Sequence, residues 1–198
     1  MAILRQPCCG HLGSSEPDVR KWRGGHDFGR YTLLLETLSE RNMVSFQLVG
    51  LTADPFARLF ALTDLELAEM GALRVVANEP SSYPCRVSLV DAEVGEELLL
   101  LPYCHQPARS PYNASGPIYI RKGAQQQILE VGLVPEYVSR RLISVRAYDV
   151  NHVMIGADVC DGQSVAVEIE RQFNNAHIRY IHLHNAKRGC YSCLVKRV

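Results

Sequence analysis

Two hairpin signals flanking one amphipathic helix constrain this chain more than anything else in its sequence. Residues 143–149 and 153–159 are strand-like runs around a turn at Val150-Asn151-His152, and residues 178–184 and 190–198 flank Asn185-Ala-Lys-Arg-Gly189. A period of two sends successive side chains to opposite faces, and connections this short join antiparallel neighbours. Between the hairpins, Ser164 caps the longest helical pattern, which runs to about Asn174 with Val165, Ile169 and Phe173 on one stripe. Hairpins plus a helix predict an α+β fold: a single domain with a mostly antiparallel sheet, a few short helices and one longer helix near residues 165–174.

Upstream, Met43 opens an alternating run, Val44-Ser45-Phe46-Gln47-Leu48-Val49, that reads as a first strand. Asp54-Pro55 is expected to cap a short helix that places Phe56, Leu59 and Phe60 on one face. Thr63-Asp-Leu-Glu66 is a capping box, and Gly71 stops the turn that it starts. Residues 73–77 and 85–90 read as strands, and Leu98 to Leu101 form an apolar run suited to burial on both faces. Residues 102–117, rich in proline, are expected to form a long connection. A strand at 118–121 and a short helix at 135–141 complete the order of elements.

Residues 1–42 read differently. They hold five of the 14 glycines and, except near residues 31–38, lack periodicity. They are expected to be a poorly ordered leader or an extension upstream of Met43, with residues 43–198 as the single α+β domain. From Met43 onward 15 basic residues face 16 acidic ones, so no global field favours a phosphate backbone, and no nucleic-acid partner is expected. The longest early apolar run, Leu33-Leu34-Leu35, is too short for a signal-peptide core or a membrane span. No membrane partner is expected, and a cytoplasmic location follows as an expectation. An odd count of seven cysteines fits reduced thiols better than a disulfide scaffold.

The stretches Tyr83-Pro-Cys-Arg-Val-Ser-Leu89, Leu100-Leu-Pro-Tyr103, Ser110-Pro-Tyr112, Ser115-Gly-Pro-Ile118, Tyr180-Ile-His-x-His-Asn-Ala186 and Gly189-Cys-Tyr-x-Cys193 resemble the bacterial family known as domain of unknown function 1203. The resemblance runs from about Val44 to the C-terminus. Members of that family are about as long as the chain counted from Met43, which the resemblance therefore implies as the start. It implies no activity, because the family is uncharacterised.

His182-x-His184 on a strand sends both imidazoles to one face, about 6.7 Å apart along the backbone, a spacing from which two rings can converge on one metal. Tyr180 shares that face. If residues 185–189 close the hairpin with His184 opposite Cys190, the Cys190 thiol joins it. His182, His184 and Cys190 are thus the candidate ligands of zinc or another first-row divalent metal. His105, from the proline-rich connection, is the group to add from outside. The competing reading makes both histidines core residues bonded to backbone carbonyls.

Cys190-Tyr-Ser-Cys193 is a weak motif, since residues i and i+3 of a strand face opposite ways. Cys85 alternates with Val87 and Leu89, which makes it a buried inert thiol and turns Arg86 toward solvent or a ligand. Arg146 is expected to pair with Asp158 or, with His105, to serve a reaction by holding an anion. Tyr103, Tyr112 and Arg86 are the candidate ligand-binding side chains. No P-loop, dinucleotide fingerprint or H-E-x-x-H occurs, which argues against a nucleotide-driven enzyme. Two function classes follow. One is a small metal-binding protein or metal-dependent hydrolase or lyase; the other is a non-catalytic domain that binds a small molecule.

Overall fold

The structure, a computed structural model, describes residues 44–198. The leader assigned to residues 1–42 lies outside them. Among the described residues eight strands form two antiparallel sheets. The larger has the order β1 (Phe46–Val49), β8 (Tyr191–Arg197), β7 (Tyr180–Asn185), β5 (Leu142–Tyr148), β6 (Met154–Asp161). The smaller has the order β2 (Leu73–Val76), β3 (Glu97–Gln106), β4 (Ala114–Arg121). Four short helices accompany them: α1 (Asp54–Ala57), α2 (Asp64–Glu69), α3 (Glu136–Ser139) and α4 (Val165–Phe173). The fold is α+β and mostly sheet, and the two hairpins stand where the alternation puts them. No helix among the described residues is long and apolar enough to cross a membrane.

Each sheet has its own apolar core. Val165, Ile169 and Phe173 of α4 are fully buried against Ile143, Val145, Ala147, Ile181, Leu183 and Val195 on one face of the larger sheet. Each of these side chains larger than alanine contributes about 1.5–3 kcal/mol relative to exposure. Leu99, Leu101, Ile118 and Ile120 of the smaller sheet pack with Phe56, Leu59, Leu67 and Tyr191. Tyr191 belongs to β8, so this second core reaches the opposite face of the larger sheet, and the space between the sheets is where the candidate site forms.

Local chemistry decides the helix ends. Thr63 and Glu66 complete the capping box, each side chain accepting from the other's backbone N–H, and Gly71 follows α2 at φ 70°. Asp54 and Ser164 depart from expectation. Asp54 lies inside the first turn of α1 after Ala53, and Ser164 makes no capping bond because the 3-10 turn Gly162–Ser164 leads directly into α4.

Two segments differ more substantially. Residues 85–90 are not a strand: only isolated bridges tie Pro84 to Asp91 and Cys85 to Tyr119. Between them the chain turns back, with Cys85 N–H donating to Val90 O and Leu89 at φ 54°. Cys85, Val87 and Leu89 alternate because this loop is buried, and Arg86 between them is buried as well. Period two reports which side chains are hidden, whereas pairing requires a neighbour. Conversely, most of residues 102–117 is strand. Pro102 pairs with Pro117, so neither removes an N–H that the other strand requires, and only residues 107–113 remain as a loop.

Candidate metal centre

The site grows from β7, flanked edge to edge by β5 and β8, with one face in the α4 core and the other toward the smaller sheet. In the β5–β7 ladder Ser144 faces His184, Arg146 faces His182 and Tyr148 faces Tyr180. Directly opposed residues share a face with Cβ atoms about 4.5–5.5 Å apart, so these six side chains form one surface. On the other side β8 carries a bulge between its partners of Leu183 and His184, with Cys193 opposite the first and Tyr191 opposite the second. The extra residue, Ser192, bonds its hydroxyl to Tyr137 Oη at 2.8 Å.

His105 comes from the smaller sheet and is itself a bulge residue. Cys104 pairs with Ser115 and Gln106 with Ala114, leaving His105 with no partner in the ladder. A bulge bends its strand and re-aims a side chain, here across the gap between the sheets. His105 thus sits on a strand and not in the long connection expected to carry it.

The three imidazoles converge. Ring centroids lie 4.9 Å apart for His105 and His184, 6.0 Å for His105 and His182, and 6.3 Å for His182 and His184. One ligand nitrogen from each lies within 4.8 Å of the other two. All three residues are buried, at 9%, 5% and 0% exposure in sequence order. His105 Nδ1, His182 Nδ1 and His184 Nε2 are buried with no hydrogen-bond partner. His184 Nδ1 lies 2.9 Å from Gly189 O. A carbonyl only accepts, so Nδ1 carries the proton and Nε2 presents a lone pair to the cluster.

Burial, the largest cause, holds these rings neutral. His182 and His184 are pushed down to about 3, with the neighbouring imidazoles and Arg146 adding to the effect, and His105 moves the same way. Neutral imidazole is the form that ligates a metal. A tetrahedral ion with bonds of 2.0–2.1 Å sets its nitrogens about 3.4 Å apart, so small ring rotations would close the cluster around one.

Aromatic rings line the rest. Tyr191 stacks on His105 at 5.2 Å and 4° and meets His182 and His184 edge-on. Tyr103 packs against Tyr191 at 6.3 Å and Phe56 at 6.0 Å. Tyr148 stacks on Tyr180 at 5.2 Å, and half-exposed Tyr112 meets Tyr148 edge-on at 6.3 Å. Tyr180 Oη accepts from Gln106 Nε2 at 2.7 Å and lies 2.8 Å from His152 Nδ1. Tyr148, Tyr191 and Gln106 had no signal in the sequence. The faces of Tyr191 and Gln106 depend on bulges, which a single sequence does not display, whereas Tyr148 follows the regular alternation of β5.

Three expectations are corrected. Cys190 is not opposite His184; its thiol lies outside the imidazole group, 3.8 Å from Arg188 O. Arg86 points to neither solvent nor ligand: it is 2% exposed and donates to Pro84 O and, at 2.7 Å, to Tyr191 O. It thereby fixes the strand that carries Tyr191. Arg146 does not pair with Asp158, which faces Val145 in the ladder and is held by Arg171 at 2.9 Å. The Cys193 thiol is buried in the core, where desolvation raises it to about 12, and Cys85 is buried too. All five cysteines of the described residues are free. A cavity of about 570 Å³ lies elsewhere, beside Ser88, Asp91, Tyr137 and Arg140, and includes none of the three histidines.

Fold and site together define a two-sheet α+β domain with a buried tri-histidine cluster between its sheets. A sequence model described as "Protein of unknown function (DUF1203)" matches residues 82–197, and the chain belongs to that family. The match covers β3 to β8 and all three histidines. No curated protein and no solved structure matches the chain.

Proposed function

We propose that the protein binds one first-row divalent metal, zinc in the first instance, through His105, His182 and His184. The observation that carries this reading is the set of three buried imidazoles with one unpartnered nitrogen each. A buried polar atom left without a partner costs about 1–3 kcal/mol, and a shared ion would remove all three penalties together. His184, with its proton fixed on the far nitrogen by Gly189 O, has the arrangement common in metal-ligating histidines.

Three imidazole ligands leave a fourth position open, the pattern of catalytic rather than structural zinc sites. Bound there, an ion supplies Lewis-acid polarisation and a water of lowered pKa, which suits hydrolysis or lyase chemistry in the cytoplasm. Around it this chain's own residues orient and exclude water: Tyr191 packs on His105, and Tyr148 closes one side. The test is elemental analysis of purified protein followed by zinc titration of the chelator-stripped form. One equivalent that His182→Ala lowers at least a hundredfold in affinity is expected. No metal above background and none bound on titration removes the reading and leaves the non-catalytic small-molecule pocket.

A further inference from the structure

Arg146 has an unusual place among the arginines of the described residues. It is half-buried, and its one hydrogen bond is a long 3.4 Å contact from Nε to Ser144 Oγ. Every other arginine there that is not exposed has a carboxylate or a backbone carbonyl: Arg74 and Glu97, Arg86 and Tyr191, Arg121 and Glu96, Arg141 and Asp91, Arg197 and Phe173. A half-buried guanidinium with no counter-charge among the described residues keeps its donors free for a partner supplied from outside.

The register locates that partner. Arg146 stands directly opposite His182 and next to Ser144, which faces His184. Its charge lies near enough to oppose protonation of His105, His182 and His184 alike. Among the described residues no acidic side chain offsets it on this surface. Asp149 Oδ1 accepts from the Asn151 and Val153 N–H groups of its own turn, while Asp158 and Glu168 are both held by Arg171. A divalent ion on three neutral imidazoles beside a guanidinium would place about three positive charges in one partly dry space with no anion from the described residues. Tyr148, Tyr180 and Tyr112 supply an aromatic wall alongside, able to take the organic body of a ligand.

We propose that the space between Arg146 and the tri-histidine cluster is a binding site for a small organic carboxylate, gripped by the Arg146 guanidinium and directed at the open metal position. The planar fork of arginine matches a carboxylate with two parallel hydrogen bonds, and the tyrosine rings favour an anion with an apolar body over a bare inorganic one. The proposal rests on the metal reading above. Its further content is the substrate class and the residue that selects it.

The test uses cobalt(II) as a visible probe of the metal. Full-length protein loaded with one equivalent is titrated with acetate, benzoate and inorganic phosphate, following the cobalt absorption. Saturable binding of both carboxylates, tighter for benzoate, is expected, with at least a tenfold loss in Arg146→Gln at unchanged cobalt stoichiometry. Arg146→Lys keeps the charge but loses the fork; it is expected to weaken benzoate at least threefold, and it carries the test should Arg146→Gln not fold. Equal affinity in wild type and variant, or phosphate binding tighter than either carboxylate, overturns the carboxylate site and leaves the metal site standing. No cobalt absorption in the wild type overturns both.

Discussion

The two faces of β7 are equally buried and chemically opposite. Ile181 and Leu183 are 0% exposed and lie in the core shared with α4, whereas His182 and His184, at 5% and 0%, face the smaller sheet. The first face is explained by burial alone. The second is not, because apolar residues of similar volume would fill the same space without leaving ring nitrogens unpaired. A strand hidden on both sides therefore separates two kinds of buried residue: those the fold requires, and those whose cost has to be met by something other than packing.

Truncation on the two faces should have unlike consequences. Leu183→Ala is expected to cost about 2–5 kcal/mol of stability in urea unfolding, through lost burial and the cavity left behind. The folded fraction should keep its one equivalent of zinc. A His184→Leu protein should show the reverse, with metal-free stability equal to or above wild type and no stabilisation by zinc, where wild type gains about 2.7 kcal/mol at a hundredfold excess over Kd. If Leu183→Ala weakened zinc as much as His184→Leu does, the two faces would not be separable and the histidines would be ordinary core residues.

The division between the faces explains what could be read from sequence. Alternation fixed the hairpins and put His182 and His184 on one side, because a regular strand transmits its parity through every residue. Parity fails at a bulge. His105 and Ser192 are each one residue too many for their ladders; the register of Leu183 and Cys193 would carry on to set Ser192 opposite His184, and the bulge sets Tyr191 there instead, while the expected Cys190 lies a further residue along. Arg86 illustrates the second limit: its neighbours alternate correctly, yet the segment is a buried loop whose backbone bonds go to Tyr119, Leu51 and Gln127. For Arg146, expected to pair with Asp158 or to hold an anion, the pairing fails because Asp158 lies on the wrong parity of β6, opposite Val145.

Acid should act on one face only. The imidazoles of His182 and His184 titrate near 6.5 in the unfolded chain and at about 3 in the folded one, so between those values the unfolded state holds more protons. Stability of the metal-free protein is then full above pH 6.5 and declines as pH falls toward 3, by about 1.4 kcal/mol per pH unit for each imidazole. His105, His152, Arg146 and Arg86 surround the pair, and none carries negative charge that would offset the effect. Urea midpoints at pH 7, 6 and 5 should fall steeply in wild type and less steeply in His182→Leu. An unchanged slope in the variant would place His182 in water.

The smallest expected effect concerns the bulge that sets Tyr191 against His184 and turns Cys190 off the histidine face. Cys190 is half-exposed, and its thiol donates a long bond to Arg188 O at 3.8 Å that a hydroxyl can also make. Cys190→Ser should shift stability by no more than about 0.5 kcal/mol and leave zinc affinity within about twofold. Sulfur is a far better zinc ligand than a neutral hydroxyl. A tenfold or greater loss of affinity would therefore mean that β8 pairs without its bulge in solution, swinging the thiol onto the histidine face and Tyr191 away from His105. The ring stacked on His105 and the thiol outside the cluster are two readings of one extra residue, and this substitution separates them.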